Sequence, residues 1–163
     1  MTEASGTDLK KAESKFVYVT YIRTTPEKLW RALTEPEYTR EIWVGTTQEC
    51  AWKVGSEWKL LKPDGTVADS GEVLEIEPHK RLVLKWQNHL FPEATAEGFS
   101  RMTYEIEQKE GSVKLTVTHE MEKSDSILIG KVSNGWPQIL SSLKSLLETG
   151  EPLESTRHWP KGM

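Results

Sequence analysis

Four histidines, one cysteine and a scatter of carboxylates are the residues with which this 163-residue chain could do chemistry. His119 is the most informative. It follows Val113, Leu115 and Val117 at period two, so it is expected to share their inward face near the end of a strand. There it would hydrogen-bond a ligand carbonyl or move a proton. The plainer reading is a histidine satisfied by a neighbour at the sheet margin, since no orienting partner stands near it in sequence. His89 sits in a loop with Phe91 and Pro92 that could gate a cavity mouth, or it is simply an exposed loop histidine. His79 falls in a turn and His158 near the end of the chain. No H-x-x-x-H or Cys-His spacing links them, so neither a metal nor another cofactor is expected. Cys50 lacks a C-x-x-C partner and reads as packing. No G-x-S-x-G, phosphate-binding loop or dinucleotide glycine pattern occurs, so no catalytic residue is assigned.

The aromatic residues form the better candidate site. Seven tryptophans are many for this length, and each buried indole N–H needs an acceptor. Trp58, Trp86, Met102, Tyr104 and Trp136 fall on faces expected to look inward. With Leu82, Leu84, Leu115, Leu140, Leu143 and His119 they would line a pocket for an apolar or amphipathic ligand. The same side chains would equally well fill a core, and pattern alone does not separate the two.

The elements that must position these residues are legible. Lys15 to Arg23 is rich in β-branched and aromatic residues and reads as a strand. Thr25-Pro26-Glu27-Lys28 and Glu35-Pro36-Glu37 are two helix starts, so two short helices follow. Period two then dominates over Gln48–Lys53, Ser56–Lys62, Val67–Glu77, Arg81–Gln87, Ser100–Gln108 and Ser112–Glu120. Gly71 marks a candidate bulge, and Asn88 to Phe99 is the longest loop. From about Ser126 to Glu148, Ile129, Val132, Trp136, Leu140, Leu143 and Leu147 make one apolar helical stripe ending at Gly150. Pro137 lies inside it, so the spacing predicts either a kink or a main helix that begins near Pro137, after Asn134-Gly135.

The fold class is therefore α+β: a curved antiparallel sheet of six to seven strands wrapped on a long C-terminal helix. Residues 1–14 are expected to be a disordered segment, 15–150 one domain and 151–163 a flexible tail. A net charge of -4 with both signs interspersed argues against nucleic acid. No apolar stretch approaches a membrane span or a signal peptide, and one cysteine fits the cytoplasm. A homodimer is left open.

Tyr21 to Glu37 (YIRTTPEKLWRALTEPE) and Asn134 to Gly150 (NGWPQILSSLKSLLETG), with Gly55–Leu60 and Gly71–Pro78 between them, resemble one family. The chain looks like a member of the Bet v 1-like (START-like, SRPBCC) helix-grip superfamily. More closely it is similar to the bacterial single-domain type of the Hsp90 ATPase activator homologue 1-like family. The resemblance spans about Lys15 to Gly150. It implies a deep cavity between sheet and helix for a lipid-like, polyketide or aromatic ligand. Two alternatives accompany it: a co-chaperone-like or stress-response interaction module, and a cyclase-like or hydrolytic enzyme using the same cavity. The chain is expected to lack the separate N-terminal domain of the eukaryotic co-chaperone, which weighs against a chaperone partner.

Overall fold

The computed structural model describes residues 13–161. The order is β1 (Ser14–Ile22), α1 (Pro26–Thr34), α2 (Pro36–Ile42), β2 (Thr47–Cys50), β3 (Glu57–Leu61), β4 (Val67–Glu77), β5 (Arg81–Asn88), α3 (Pro92–Ala96), β6 (Ser100–Lys109), β7 (Ser112–Met121) and α4 (Ile127–Thr149). The seven strands form one antiparallel sheet in the order β1-β7-β6-β5-β4-β3-β2. This is the expected helix-grip architecture, with α4 against the inner face. Among the described residues, no helix is long and apolar enough to cross a membrane.

Local chemistry explains the boundaries. Thr25 caps α1 by accepting the Lys28 N–H at 3.2 Å, and Pro26 occupies its first turn. Ser126 caps α4 through the Ile129 N–H at 3.2 Å, and Gly150 closes it in the left-handed region at φ 90°. At that end Glu148 accepts the Arg23 N–H at 2.8 Å, fixing the helix to the chain just after β1.

Three expectations are corrected. Helix α4 does not begin near Pro137; it runs unbroken from Ile127, with Pro137 inside. Proline removes one bond and costs about 3 kcal/mol, but buried Trp136, Leu140 and Leu143 and, upstream, Leu128 and Ile129 hold both halves of the helix. The sheet irregularities lie at Leu60/Leu61 and Val73/Glu75, not at Gly71. The loop after β5 contains the short helix α3.

The expected disordered segment 1–14 falls outside the described residues, except that Glu13 bonds the Met121 carbonyl at 3.0 Å and Ser14 opens β1. The stretch after Gly150, expected as a flexible tail, is anchored over 151–161. Thr156 is buried within a 3-10 turn, Glu154–Thr156. Its hydroxyl meets Ser142 Oγ at 2.7 Å and the Glu41 carbonyl at 2.9 Å.

The inner face is ordered in rungs. Trp58, Gly71, Trp86 and Ser100 lie side by side across β3 to β6. The next rung is Gln48, Leu60, Asp69 and Asn88 across β2 to β5. On the other side, Val73, Leu84, Met102, His119 and Phe16 continue the face to the sheet edge. Gly71 is required where it stands. A Cβ there would sit 1.6 Å from the Lys85 carbonyl oxygen, and without a side chain between them Trp58 and Trp86 meet at 4.5 Å.

Candidate functional site

Three indoles are buried in this face or against it, and each N–H has a separate acceptor. Trp58 donates to Gln48 Oε1 at 2.7 Å, and Gln48 donates in turn to the Leu33 carbonyl at 2.7 Å. Trp86 donates to Asp69 Oδ2 at 2.7 Å. Trp136, from α4, donates to His119 Nδ1 at 3.1 Å. Unpaired, each buried donor would cost about 1–3 kcal/mol, so these polar acceptors are what make such an aromatic core tolerable.

The bond from Trp136 decides the state of His119. An indole nitrogen only donates, so Nδ1 must present a lone pair and the neutral ring carries its proton on Nε2. That nitrogen meets Ser100 Oγ at 2.8 Å, and Ser100 donates to the Trp86 carbonyl at 3.0 Å. Complete burial pushes the imidazole down to about 3. Both ring nitrogens are occupied by the fold, and neither is left for a proton-transfer partner.

Beside this core, under the N-terminal half of α4, is a cavity of about 230 Å³. Trp86 and Trp136 line its inner wall, with Leu60, Ala68, Asp69 and Asn88 from the sheet. Trp43 and Val44 close it from the loop after α2, Leu90 and Phe91 from the loop before α3, and Trp159 from the chain end. Val132 and Ile139 face it from α4. Trp43 packs 5.8 Å from Trp86 and 5.2 Å from Trp136, so three indoles meet at this wall.

Asp69 is the carboxylate that borders the cavity. It is only 6 % exposed, and burial pushes its carboxyl up to about 6 against the opposing bonds from Trp86 and Asn88. Asn88 donates to the same oxygen, Oδ2, at 3.1 Å. Its own Oδ1 accepts the Leu90 and Phe91 N–H groups at 3.0 Å each, which fixes the amide's orientation. Asp69 is thus held by the loop that forms one wall of the cavity.

The rim is held by long-range bonds. Glu97, just after α3, accepts Ser126 Oγ and the Ile127 N–H at 2.7 Å each, and the Leu128 N–H at 3.2 Å. One carboxylate thereby caps α4 and ties it to the α3 segment. Val44 is strained, with φ 48° on a β-branched residue, and its N–H is held by the Thr156 carbonyl at 2.7 Å. The chain end therefore supports the rim as well as contributing Trp159.

Of the residues expected to line a pocket, Trp86 and Trp136 border this cavity. Trp58, Leu82, Leu84, Met102, Tyr104, Leu115, Leu140 and Leu143 sit in the close-packed core beneath it, and His119 is sealed among them. His89 bonds Ser70 Oγ at 2.6 Å. Cys50 Sγ accepts the Trp52 N–H at 3.2 Å. Among the described residues, no group of three or more His, Cys, Asp or Glu side chains could hold a metal ion.

Sequence reasoning missed Asp69, and the reason is physical. Ile76 lies opposite Leu82 and Val73 opposite Leu84, so β4 spends one residue more than β5 between those pairs. Counting in twos from Ile76 puts Asp69 on the wet face. The bulge at Leu74 reverses the phase and turns Asp69 inward. The available signal was Val73, from which the same count gives the observed face.

The family model described as activator of Hsp90 ATPase homolog 1-like protein matches residues 23–148. Protein MLL2253 from Mesorhizobium loti is 28% identical with a TM-score of 0.71, over 83% of this chain and 97% of that one. An Hsp90 activator from Plasmodium falciparum is 26% identical with a TM-score of 0.67, over 82% of this chain and 95% of that one. The Aha1 dimer from Colwellia psychrerythraea is 21% identical with a TM-score of 0.68, over 84% and 98%, and shows a shared fold. No curated protein matches the chain significantly. With more than half its length matched, this chain belongs to the activator of Hsp90 ATPase homolog 1-like protein family.

Proposed function

We propose that this protein binds a small hydrophobic or amphipathic molecule in the cavity between its sheet and α4. The observation that carries this reading is the joint lining by Trp43, Trp86 and Trp136 of an apolar space holding one buried carboxyl. Apolar walls supply affinity and a few placed polar groups supply orientation. The ligand-facing residues in this reading are two of the three expected tryptophans, Trp86 and Trp136, joined by Trp43 and Asp69; the deeper expected residues form the floor that holds them. An enzyme using His119 is disfavoured by the engagement of both its ring nitrogens.

Titrating the intrinsic tryptophan fluorescence with fatty-acid-like and polycyclic aromatic compounds tests the reading. A saturable response to at least one class is expected. A flat response across the whole panel would remove it.

A second reading, a chaperone-directed interaction module, is favoured by the likeness to the Plasmodium Hsp90 activator. Stimulation of a purified Hsp90 ATPase by the added chain would support it, and an unchanged rate would count against it. A homodimer and a cytoplasmic setting remain proposals, which sedimentation and fractionation would test.

A further inference from the structure

Both hydrogen bonds to the Asp69 carboxyl, from Trp86 and Asn88, end on Oδ2. Among the described residues, nothing donates to Oδ1, and Asp69 forms no ion pair. Yet Oδ1 is not a sealed orphan: among the described residues, the fully buried side-chain atoms without a hydrogen bond are Thr24 Oγ1 and Arg157 Nε. Asp69 borders the cavity, and Oδ1 is the oxygen of its carboxyl that no donor occupies. A carboxyl nine-tenths buried, with one oxygen doubly satisfied and the other bare, is built to receive something.

We propose that the ligand presents a hydrogen-bond donor, a hydroxyl or a protonated amine, to Asp69 Oδ1 while its apolar body lies on Trp43, Trp86 and Trp136. This rests on the ligand-binding reading above and narrows it to a chemical class. Among the described residues, the only other charged one bordering the cavity is Lys131, which is exposed and holds its Nζ 4.0 Å above the Phe91 ring at the rim. Depth therefore separates the two charges: the carboxyl meets the buried end of the ligand. A ligand carboxylate entering first would put two anions together in a poorly hydrated space, which is costly. Three indole faces next to the carboxyl also favour a cationic head.

Asp69→Asn is the informative substitution. It keeps an oxygen for Trp86 and Asn88 and places an amide nitrogen where Oδ1 stood, so the cavity's acceptor becomes a donor. Calorimetric titration of the full chain near neutral pH compares three probes with one body: naphthylmethylamine, naphthylmethanol and naphthoic acid. In the wild type the amine and the alcohol are expected to bind at least about tenfold more tightly than the acid. In Asp69→Asn this preference is expected to vanish or reverse. Equal or tighter binding of the acid by the wild type, or an unchanged ranking in the variant, overturns the proposal and leaves the ligand-binding reading standing. No binding of any probe overturns both. Should the variant not fold, the Asp69 carboxyl carbon resonance of the wild type decides: it must shift as the amine saturates, and a stationary signal overturns the proposal.

Discussion

The indole N–H of Trp136, on the terminal helix, donates to Nδ1 of His119, on the sheet, at 3.1 Å. One hydrogen bond thus locks the helix to the sheet and sets the tautomer of the only histidine in the core. The residue that best fitted an acid–base role in sequence is instead a structural acceptor, and the helix needs it neutral. In the wild-type protein, nitrogen resonances should show a lone-pair Nδ1 and a protonated Nε2. Trp136→Phe should destabilise by about 1–3 kcal/mol beyond any packing loss, by stranding Nδ1. Urea unfolding measures it.

His119 also predicts an acid limit. Its native value of about 3 lies below the ordinary 6.5. A depressed histidine contributes stability that is complete above 6.5 and is lost as pH falls towards 3, roughly 5 kcal/mol if the whole shift is realised. His119→Gln should flatten this part of the stability–pH profile. An unchanged slope would show that His119 is not the group responsible.

Asp69 predicts the opposite sign. Its native value of about 6 lies above the ordinary 3.8. The protonated carboxyl is the form the fold prefers, so its contribution is complete below 3.8 and is lost as pH rises through 6, roughly 3 kcal/mol. Relative to wild type, Asp69→Asn should therefore gain stability between pH 4 and pH 6 (about the interval of the shift). Denaturant midpoints of the two proteins across that range decide it; a constant difference would contradict the raised value.

Gly71→Ala should be among the most damaging single-methyl changes, because the new carbon meets backbone, not a movable side chain. A loss of about 3 kcal/mol or more is expected, with reduced contact between Trp58 and Trp86 visible as altered near-ultraviolet dichroism. A variant within about 0.5 kcal/mol of wild type would contradict the close approach.

One carboxylate, Glu97, caps α4 from a distance. Burial opposes its ionisation, but the bonds from Ser126, Ile127 and Leu128 prevail and hold it below the ordinary carboxylate range. Its contribution should be present above that range and lost as pH falls through the native value. Glu97→Gln should cost about 1 kcal/mol and raise amide exchange in the first turn of α4; unchanged exchange there would argue against the tie.

The elements were legible because their signals are local. Alternation over Ser100–Glu120 and the stripe from Ile129 to Leu147 are direct consequences of strand and helix periods. Pro137 misled because tertiary burial of Trp136 and Leu140 outweighs one lost backbone bond. The site was half legible. Trp86 and Trp136 follow from parity, but Asp69 is inverted by a bulge, and Trp43 and Trp159 reach the cavity through loops that periodicity does not describe. The residues between 151 and 161 read as a polar end, yet Thr156 finds one partner more than a hundred residues away in sequence, at Glu41.

The most direct test of ligand binding in the cavity is titration with the neutral probe N-phenylnaphthylamine against wild type and Val132→Phe. Val132 borders the cavity from α4, so the larger ring is meant to obstruct that space. The wild type should give a saturable, one-to-one fluorescence enhancement. The filled variant, melting no lower than wild type, should give none. No saturable response in the wild type, or the same response in both, would contradict the proposed function.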